Sequence, residues 1–82
     1  MKNYITQKQQ NKHNQYLALK SVLSAHGIVK EKEIAELIGL TPQAWYKRTR
    51  GKKLELSVIE LRDIAIKLEL TSEEINYIVQ GV

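Results

Sequence analysis

The chain has 82 residues, 43% hydrophobic and 27% charged, so it is long enough for one small soluble domain and too short for two cores. It has no cysteine and only two histidines, which excludes a disulfide scaffold, a thiolate metal site and a cysteine nucleophile. No apolar run reaches the ~18 residues of a membrane span and the N-terminus lacks the apolar core of a signal peptide, so we expect a cytoplasmic protein without membrane contact, whose net charge of +4 favours a polyanionic partner.

The first fourteen residues differ in composition from the rest of the chain. They are rich in Asn, Gln and Lys, and only Tyr4 and Ile5 offer apolar surface, which is too little for a core. We therefore predict a polar, basic arm or a frayed helical extension over 1–14 and a folded domain over 15–82. Asn14 is the expected N-cap of the first helix, because the apolar pattern begins at Tyr16.

The remainder of the chain carries helical periodicity throughout. Apolar residues recur at three- and four-residue spacing, and no stretch alternates with the period of a strand. Thr41 followed by Pro42 marks one helix start, and capping boxes begin at Ser57 and Thr71. The predicted fold is all-α, a compact domain with five helices near residues 15–26, 31–38, 42–50, 57–69 and 72–80. On the last two helices the pattern predicts which residues face the core. They are Val58, Leu61, Ile64, Ala65, Leu68, Ile75, Ile78 and Val79.

The second and third predicted helices form a closely spaced pair. Two helices joined by so short a turn, with a glycine at its first position, cross steeply. Over 31–50 this helix-turn-helix unit resembles the phage-repressor (Cro-type) family of DNA-binding proteins, through Ile34, Ala35, Ile38, Gly39, Leu40, Thr41 and Trp45. The resemblance extends over about residues 16–72, through Leu19, Val22, Gly27, Ile28, Arg50, Gly51, Lys52, Leu61, Ile64, Ala65, Leu68 and Leu70.

Two places depart from the pattern of that family. The family usually has Thr-Gln where its second helix begins, but here Lys30 and Glu31 stand there, and a phosphate contact would fall to Lys32. An inward position of the third helix, usually aliphatic, holds Arg48. Its stem is expected to lie over Trp45 while the guanidinium reaches solvent or phosphate.

The third helix has one polar face. Four of its polar side chains recur at i, i+3, i+4 and i+7, so they share the face opposite Trp45, which is expected in the core. Such a helix suits insertion into a DNA major groove, where Gln bonds adenine and Lys or Arg bonds guanine. The hydroxyl at its N-cap and the lysines beyond its end are placed to hold phosphates. The candidate DNA-binding residues are Lys32, Thr41, Gln43, Tyr46, Lys47, Arg50, Lys52 and Lys53.

The remaining polar residues form no catalytic or cofactor pattern. No nucleophile, base and orienting group fall together, and there is no glycine-rich phosphate loop, so we expect neither an enzyme nor a bound cofactor or metal. His26 is expected to interact with the dipole at the end of the first helix. Five carboxylates are expected to face solvent, with no partner that converges on them. They are Glu31, Glu33, Glu36, Glu73 and Glu74.

These patterns lead to two hypotheses. The first is a sequence-specific DNA-binding transcriptional regulator of phage or prophage type, a repressor or Cro-like protein, that reads the major groove of double-stranded DNA with helix 42–50. Because one helix-turn-helix unit covers half a site, a homodimer is expected, through helices 57–69 and 72–80. The alternative is a protein-interaction module with the same fold, a repressor modulator, antirepressor or antitoxin with weak or no DNA binding. Glu31 and the acidic residues of 55–74 favour the alternative.

Overall fold

The computed structural model describes residues 14–81 and contains five helices in that range. They are α1 (Tyr16–Ala25), α2 (Glu31–Ile38), α3 (Pro42–Arg48), α4 (Val58–Leu68) and α5 (Ser72–Gln80). No residue from 14 to 81 lies in a strand, so the all-α prediction is confirmed. Within the same range, no helix has the length and apolarity that crossing a membrane requires.

Polar side chains fix the starts of three helices as the sequence predicts. The Thr41 hydroxyl accepts a hydrogen bond from the backbone N–H of Ala44 (3.1 Å), and Pro42 follows at the first helical position. Ser57 and Thr71 each complete a reciprocal capping box with the glutamate three residues later. Since each cap satisfies N–H groups that have no partner inside the helix, these starts are set locally.

A left-handed glycine makes the turn between α2 and α3. Gly39 has φ 87°, and a Cβ atom there would meet nothing within 4 Å, so the requirement for glycine is conformational rather than steric. The N–H of Leu40 donates to the carbonyl of Ala35 (2.8 Å), which closes the end of α2. The chain therefore turns over the three residues between the helices and sets α3 against α2.

The third helix ends two residues earlier than predicted. α3 stops at Arg48. The N–H of Thr49 makes a last helical bond to the carbonyl of Trp45 (3.0 Å), which also accepts from the Thr49 hydroxyl (2.9 Å), and the N–H of Lys52 then donates to the carbonyl of Thr49 (2.8 Å) in a turn. The predicted stop, Gly51 (φ 74°), lies with Lys52 (φ 57°) in the turn that follows. Arg50 consequently belongs to that turn and not to the face of α3.

The core gathers side chains from all five helices and from the segment between α3 and α4. α1 packs against α5, and α2 packs against α3 and α4. Two predictions of buried residues are wrong. Val58 at the first position of α4 is 83% exposed, about 120° around the helix from buried Ile64, and Val79 is 46% exposed beside buried Ile78. The buried cluster consists of Tyr16, Leu19, Val22, Leu23, Ile34, Ala35, Trp45, Leu54, Leu56, Ile64 and Ile78.

The start of the folded domain also differs from the prediction. Gln15, not Asn14, is the N-cap residue of α1, although the Asn14 carboxamide oxygen accepts from the N–H of Tyr16 (3.2 Å). The buried Gln15 side chain donates to the carbonyl of Val79 (3.1 Å) and accepts from the N–H of Leu56 (2.8 Å). Residues 14 and 15 thus join α1 to α5 and to the α3–α4 segment. The rest of the predicted arm, residues 1–13, and Val82 lie outside the described residues.

Candidate nucleic-acid interface

The helix α3 presents opposite chemistry on its two sides. Trp45 is 2% exposed and belongs to the core, which confirms its predicted role as the anchor of this helix. Gln43 and Lys47 are exposed, and Tyr46 is 70% exposed. The short helix α3 is therefore held to the core by one buried indole, and its polar, basic face is left in solvent.

A groove of about 520 Å³ runs beside this helix. Its walls come from the start of α1, the start of α2, α3 and the turn after α3. The lining includes aromatic side chains and three cations, one from α2 and two from the turn after α3. The lining residues are Tyr16, Glu31, Lys32, Pro42, Trp45, Tyr46, Thr49, Arg50, Gly51 and Lys52.

Half of the predicted DNA-binding residues meet at this groove. Lys32, Tyr46, Arg50 and Lys52 line it together, although α2 supplies the first and the α3 region the others. The other four predicted residues are exposed outside the lining of the groove: Thr41, Gln43, Lys47 and Lys53. All eight predicted residues are exposed. Their cations come from α2, from α3 and from the segment that follows α3.

Glu31 stands at the inner wall of the groove and binds three side chains. Its carboxylate accepts from the indole Nε1–H of Trp45 (2.6 Å), from Nζ of Lys20 (2.5 Å) and from the hydroxyl of Tyr16 (3.3 Å). The prediction that Glu31 has no convergent partner is therefore wrong. The carboxylate joins α1, α2 and α3, and the Lys20 ammonium, which also lies 5.4 Å from the centre of the Tyr16 ring, balances its charge.

The same contacts keep Glu31 ionised. Burial acts to raise the pKa of this carboxyl, but the hydrogen bonds from Lys20 and Trp45 and the Lys20 charge outweigh it, so the pKa lies below its ordinary value. The hydrogen bond to Glu31 raises the pKa of Lys20 above its ordinary value. Because the pair is charged on both sides, the start of α2 presents little net charge to a ligand in the groove.

Arg48, whose guanidinium is predicted to reach solvent or phosphate, is bound to α4 instead. Its guanidinium forms a two-pronged ion pair with the carboxylate of Glu60 on α4 and also donates to the carbonyl of Glu55 (3.0 Å). This hydrogen-bonded pairing with Arg48 lowers the pKa of Glu60 to about 2. Arg48 is therefore a clamp between α3 and α4, and it is not available to a phosphate.

A second carboxylate predicted to lack a partner also has one. Glu74 lies 2.8 Å from Nε2 of His26, which joins the end of α1 to the first turn of α5. The N-cap backbone N–H of Thr71 and the His26 ring hold the pKa of Glu74 below its ordinary value. These contacts are structural. In residues 14–81 no three His, Cys, Asp or Glu side chains are grouped so that they would hold a metal ion.

The sequence reasoning missed these contacts because their partners lie on different helices. Glu31 and Trp45 are fourteen positions apart, and Arg48 and Glu60 are twelve apart, so spacing within one helix does not connect them. One signal was present. A buried indole needs an acceptor for its N–H, so a carboxylate near the start of α2 was a reasonable candidate once Trp45 was assigned to the core.

Comparison with protein-family models, with curated proteins and with solved structures gives no significant match. The argument for function therefore depends on the residues quoted above and on their arrangement in the structure.

Proposed function

We propose that this protein is a sequence-specific DNA-binding transcriptional regulator, a phage or prophage repressor or a Cro-like protein, and not an enzyme. The resemblance of residues 16–72 to the phage-repressor family supports this reading. The five helices and the tight α2–α3 turn are what that resemblance implies. Fold alone does not fix function, so the proposal depends on the surface that α3 presents.

The observation that carries the proposal is the convergence of cations beside the exposed face of α3. Lys32, Arg50 and Lys52 come from two separate segments and surround one groove next to Tyr46. A surface of this kind attracts the phosphates of a duplex while the adjacent helix enters the major groove. The charge of Glu31, which by itself would oppose a phosphate, is matched by Lys20.

Each exposed residue then has a role set by its position. Gln43 and Lys47 on α3 are suited to base edges, since an amide pairs with adenine N6 and N7 and an ammonium reaches guanine O6 and N7. The Thr41 hydroxyl still has a hydrogen to donate to a phosphate, because in the cap it acts as acceptor. The cations Lys32, Arg50, Lys52 and Lys53 hold the sugar-phosphate backbone.

A homodimer is part of the proposal. One helix-turn-helix unit covers half of a two-fold operator, so two copies are needed for a complete site. Exposed apolar side chains on α4 and α5 are available for such contacts, among them Ile59, Ile66 and Val79. Ile78, at first sight also suitable, is buried within one copy and is excluded from the interface.

A titration with genomic DNA fragments at several salt concentrations tests the proposal. If three to five phosphates are neutralised per subunit, log affinity falls against log salt with a slope of about −3 to −5 per subunit. Replacing Lys53 by Ala should reduce that slope by about one, whereas replacing the ion-paired Lys20 by Ala should change it much less.

The second candidate function is the protein-interaction module. Apolar side chains on α4 favour it, since Val58, Ile59 and Ile66 are each more than 60% exposed. The same titration separates the two functions. Absence of binding at about 50 mM salt and tens of micromolar protein would reject DNA binding and leave the interaction module.

A further inference from the structure

The outer face of α4 carries a narrow stripe that makes no contact with the core. Ile59, Arg62, Asp63 and Ile66 are all exposed and span about 100° around the helix at 3.6 residues per turn. Ile59 is 62% and Ile66 66% exposed. On the opposite side of the helix, Leu61, Ile64 and Leu68 face the core. The two isoleucines are thus not the edge of the core but a separate apolar feature.

The stripe has the form that a two-fold contact requires. Along α4 the side chains of the stripe come in the order apolar, cation, anion, apolar. Reversing the direction of the helix exchanges only the cation and the anion. A second copy of the same stripe, packed antiparallel to the first, places isoleucine against isoleucine at both ends. It also brings each Arg62 within reach of the other copy's Asp63, and the four central charges sum to zero. In a two-fold interface the same patch must complement itself, and this patch does.

We propose that α4 pairs with α4 of a second copy through Ile59, Arg62, Asp63 and Ile66. The inference specifies the surface of the homodimer in the proposed function but does not depend on DNA binding, so the two fail separately. Four side chains per copy are a small interface, well below the ~800 Å² per partner of a stable complex. The dissociation constant without DNA is therefore expected on the order of 0.1 mM.

This interface also fixes how the two copies of α3 are placed relative to each other. Arg48 on α3 forms its ion pair with Glu60 on α4, next to Ile59 in the chain. Since that ion pair joins α3 to the helix that makes the contact, pairing of α4 sets the distance and angle between the two copies of α3. An interface on α4 therefore determines the spacing of the half-sites.

Charge exchange across the proposed interface tests it in the absence of DNA. R62D gives each copy two adjacent acids at the centre of the stripe, and D63R gives two adjacent arginines. Each variant alone should dimerise at least about tenfold more weakly than the wild type by sedimentation equilibrium, because like charges then meet. An equal mixture of the two should associate at least as strongly as the wild type. Recovery in the mixture also shows that both variants are folded.

Two variants off the stripe control for net charge. K30D matches R62D in overall charge, and E36R matches D63R, since Lys30 and Glu36 are exposed residues of the α2 region. Both controls should dimerise as the wild type does. A wild-type chain that stays monomeric at millimolar concentration overturns the proposal, and so does a mixture that associates no better than its components.

The absence of cysteine from the sequence permits a second test. Ile59→Cys and Ile66→Cys place single thiols at the two ends of the stripe. Under mild oxidation, either each variant crosslinks to itself, which indicates parallel helices, or only their mixture gives the crosslinked pair, which indicates antiparallel helices. Only the antiparallel result supports the proposal, because it sets Arg62 against Asp63 of the other copy. Parallel helices would set Arg62 against Arg62 and would refute it. No crosslink in any combination, while Val79→Cys on α5 does crosslink, assigns the contact to α5 and refutes the proposal.

Discussion

At the scale of single residues, two carboxylates on different helices hold α3 in place. Glu31 receives the indole N–H of Trp45, and Glu60 pairs with the guanidinium of Arg48. Both carboxylates are partly exposed, so their attraction is weaker than in a dry interior, but hydrogen bonds to charged groups are shorter and stronger than neutral ones. A helix of only seven residues is unstable alone, and these contacts together with burial of Trp45 fix its direction.

Replacing Trp45 by Ala should destabilise the domain by about 3–5 kcal/mol, because it removes a large buried side chain and one hydrogen bond to Glu31. Tyr46→Ala on the same helix is the matched control and should cost less than about 0.5 kcal/mol, since Tyr46 is 70% exposed. Urea unfolding measures both. As the chain has a single tryptophan, its fluorescence reports this site alone, and emission should be blue-shifted when folded. Emission of the folded protein at the wavelength of indole in water would contradict the assignment of the inward face.

The Glu60–Arg48 pair should make stability depend on acid. The folded-state pKa of Glu60 is about 2, below the ordinary value of 4.5, so ionised Glu60 stabilises the fold above pH 4.5. This contribution is lost as the pH falls from 4.5 through 2. Glu60→Gln should therefore cost about 1–3 kcal/mol at pH 7 and much less near pH 2. Chemical unfolding across this range measures the difference, with Glu36→Gln as the exposed control. A difference between wild type and Glu60→Gln that stays constant with pH would show that the ion pair does not form in solution.

At the scale of helices, local signals could be predicted and contacts between helices could not. The starts of α3, α4 and α5 were predictable because a cap and the N–H it accepts lie within three residues. The end of α3 differs from the predicted one because the turn that ends the helix begins before Gly51, at Thr49, whose carbonyl accepts from the N–H of Lys52. Val58 was misplaced because helical spacing gives a face but not the width of the neighbour that covers it.

In the candidate site, too, local features could be predicted and contacts between helices could not. The sequence could not predict that Lys32 of α2 and Arg50 beyond α3 line one groove, because that depends on the crossing of α2 and α3. It did predict which residues of α3 face away from Trp45, because this follows from the period of the helix alone. The predictions about base recognition therefore concern residues whose exposed position on α3 follows from the helical period.

Base recognition and backbone contact should separate between α3 and the turn that follows it. Changing Gln43 or Lys47 to Ala should cost about 1–3 kcal/mol at one preferred base pair and weaken the preference there. Changing Lys52 or Lys53 to Ala should weaken binding to all sequences about equally, because the turn reaches only phosphates. Selection from randomised DNA compares the four variants in one experiment. If Lys52→Ala altered the preferred sequence and Lys47→Ala did not, α3 would not be the element that enters the major groove of the DNA.

At the scale of the whole molecule, the basic surface and the apolar stripe lie on separate parts of one small domain. The cations Lys32, Arg50, Lys52 and Lys53 are on α2 and the turn after α3, while the stripe is on the outer face of α4. The Arg48–Glu60 ion pair connects α3 to α4. We expect a protein arranged in this way to associate weakly in solution and to assemble fully only when two adjacent half-sites hold two copies together, since each copy then raises the effective concentration of the other.

This arrangement predicts that α4 controls cooperativity rather than contact with DNA. On a selected operator, which should be an inverted repeat, the wild type should bind as two copies with a Hill coefficient approaching about 2. R62D and D63R alone should each bind with a coefficient near about 1 while keeping the same preferred half-site, because Gln43 and Lys47 are unchanged. Their equal mixture should recover cooperative binding. The coefficient is the informative quantity, since D63R adds positive charge and raises affinity for any DNA. Band-shift titrations with single and paired half-sites measure it. Cooperative binding retained by both single variants would mean that the two copies meet on DNA through a surface other than α4.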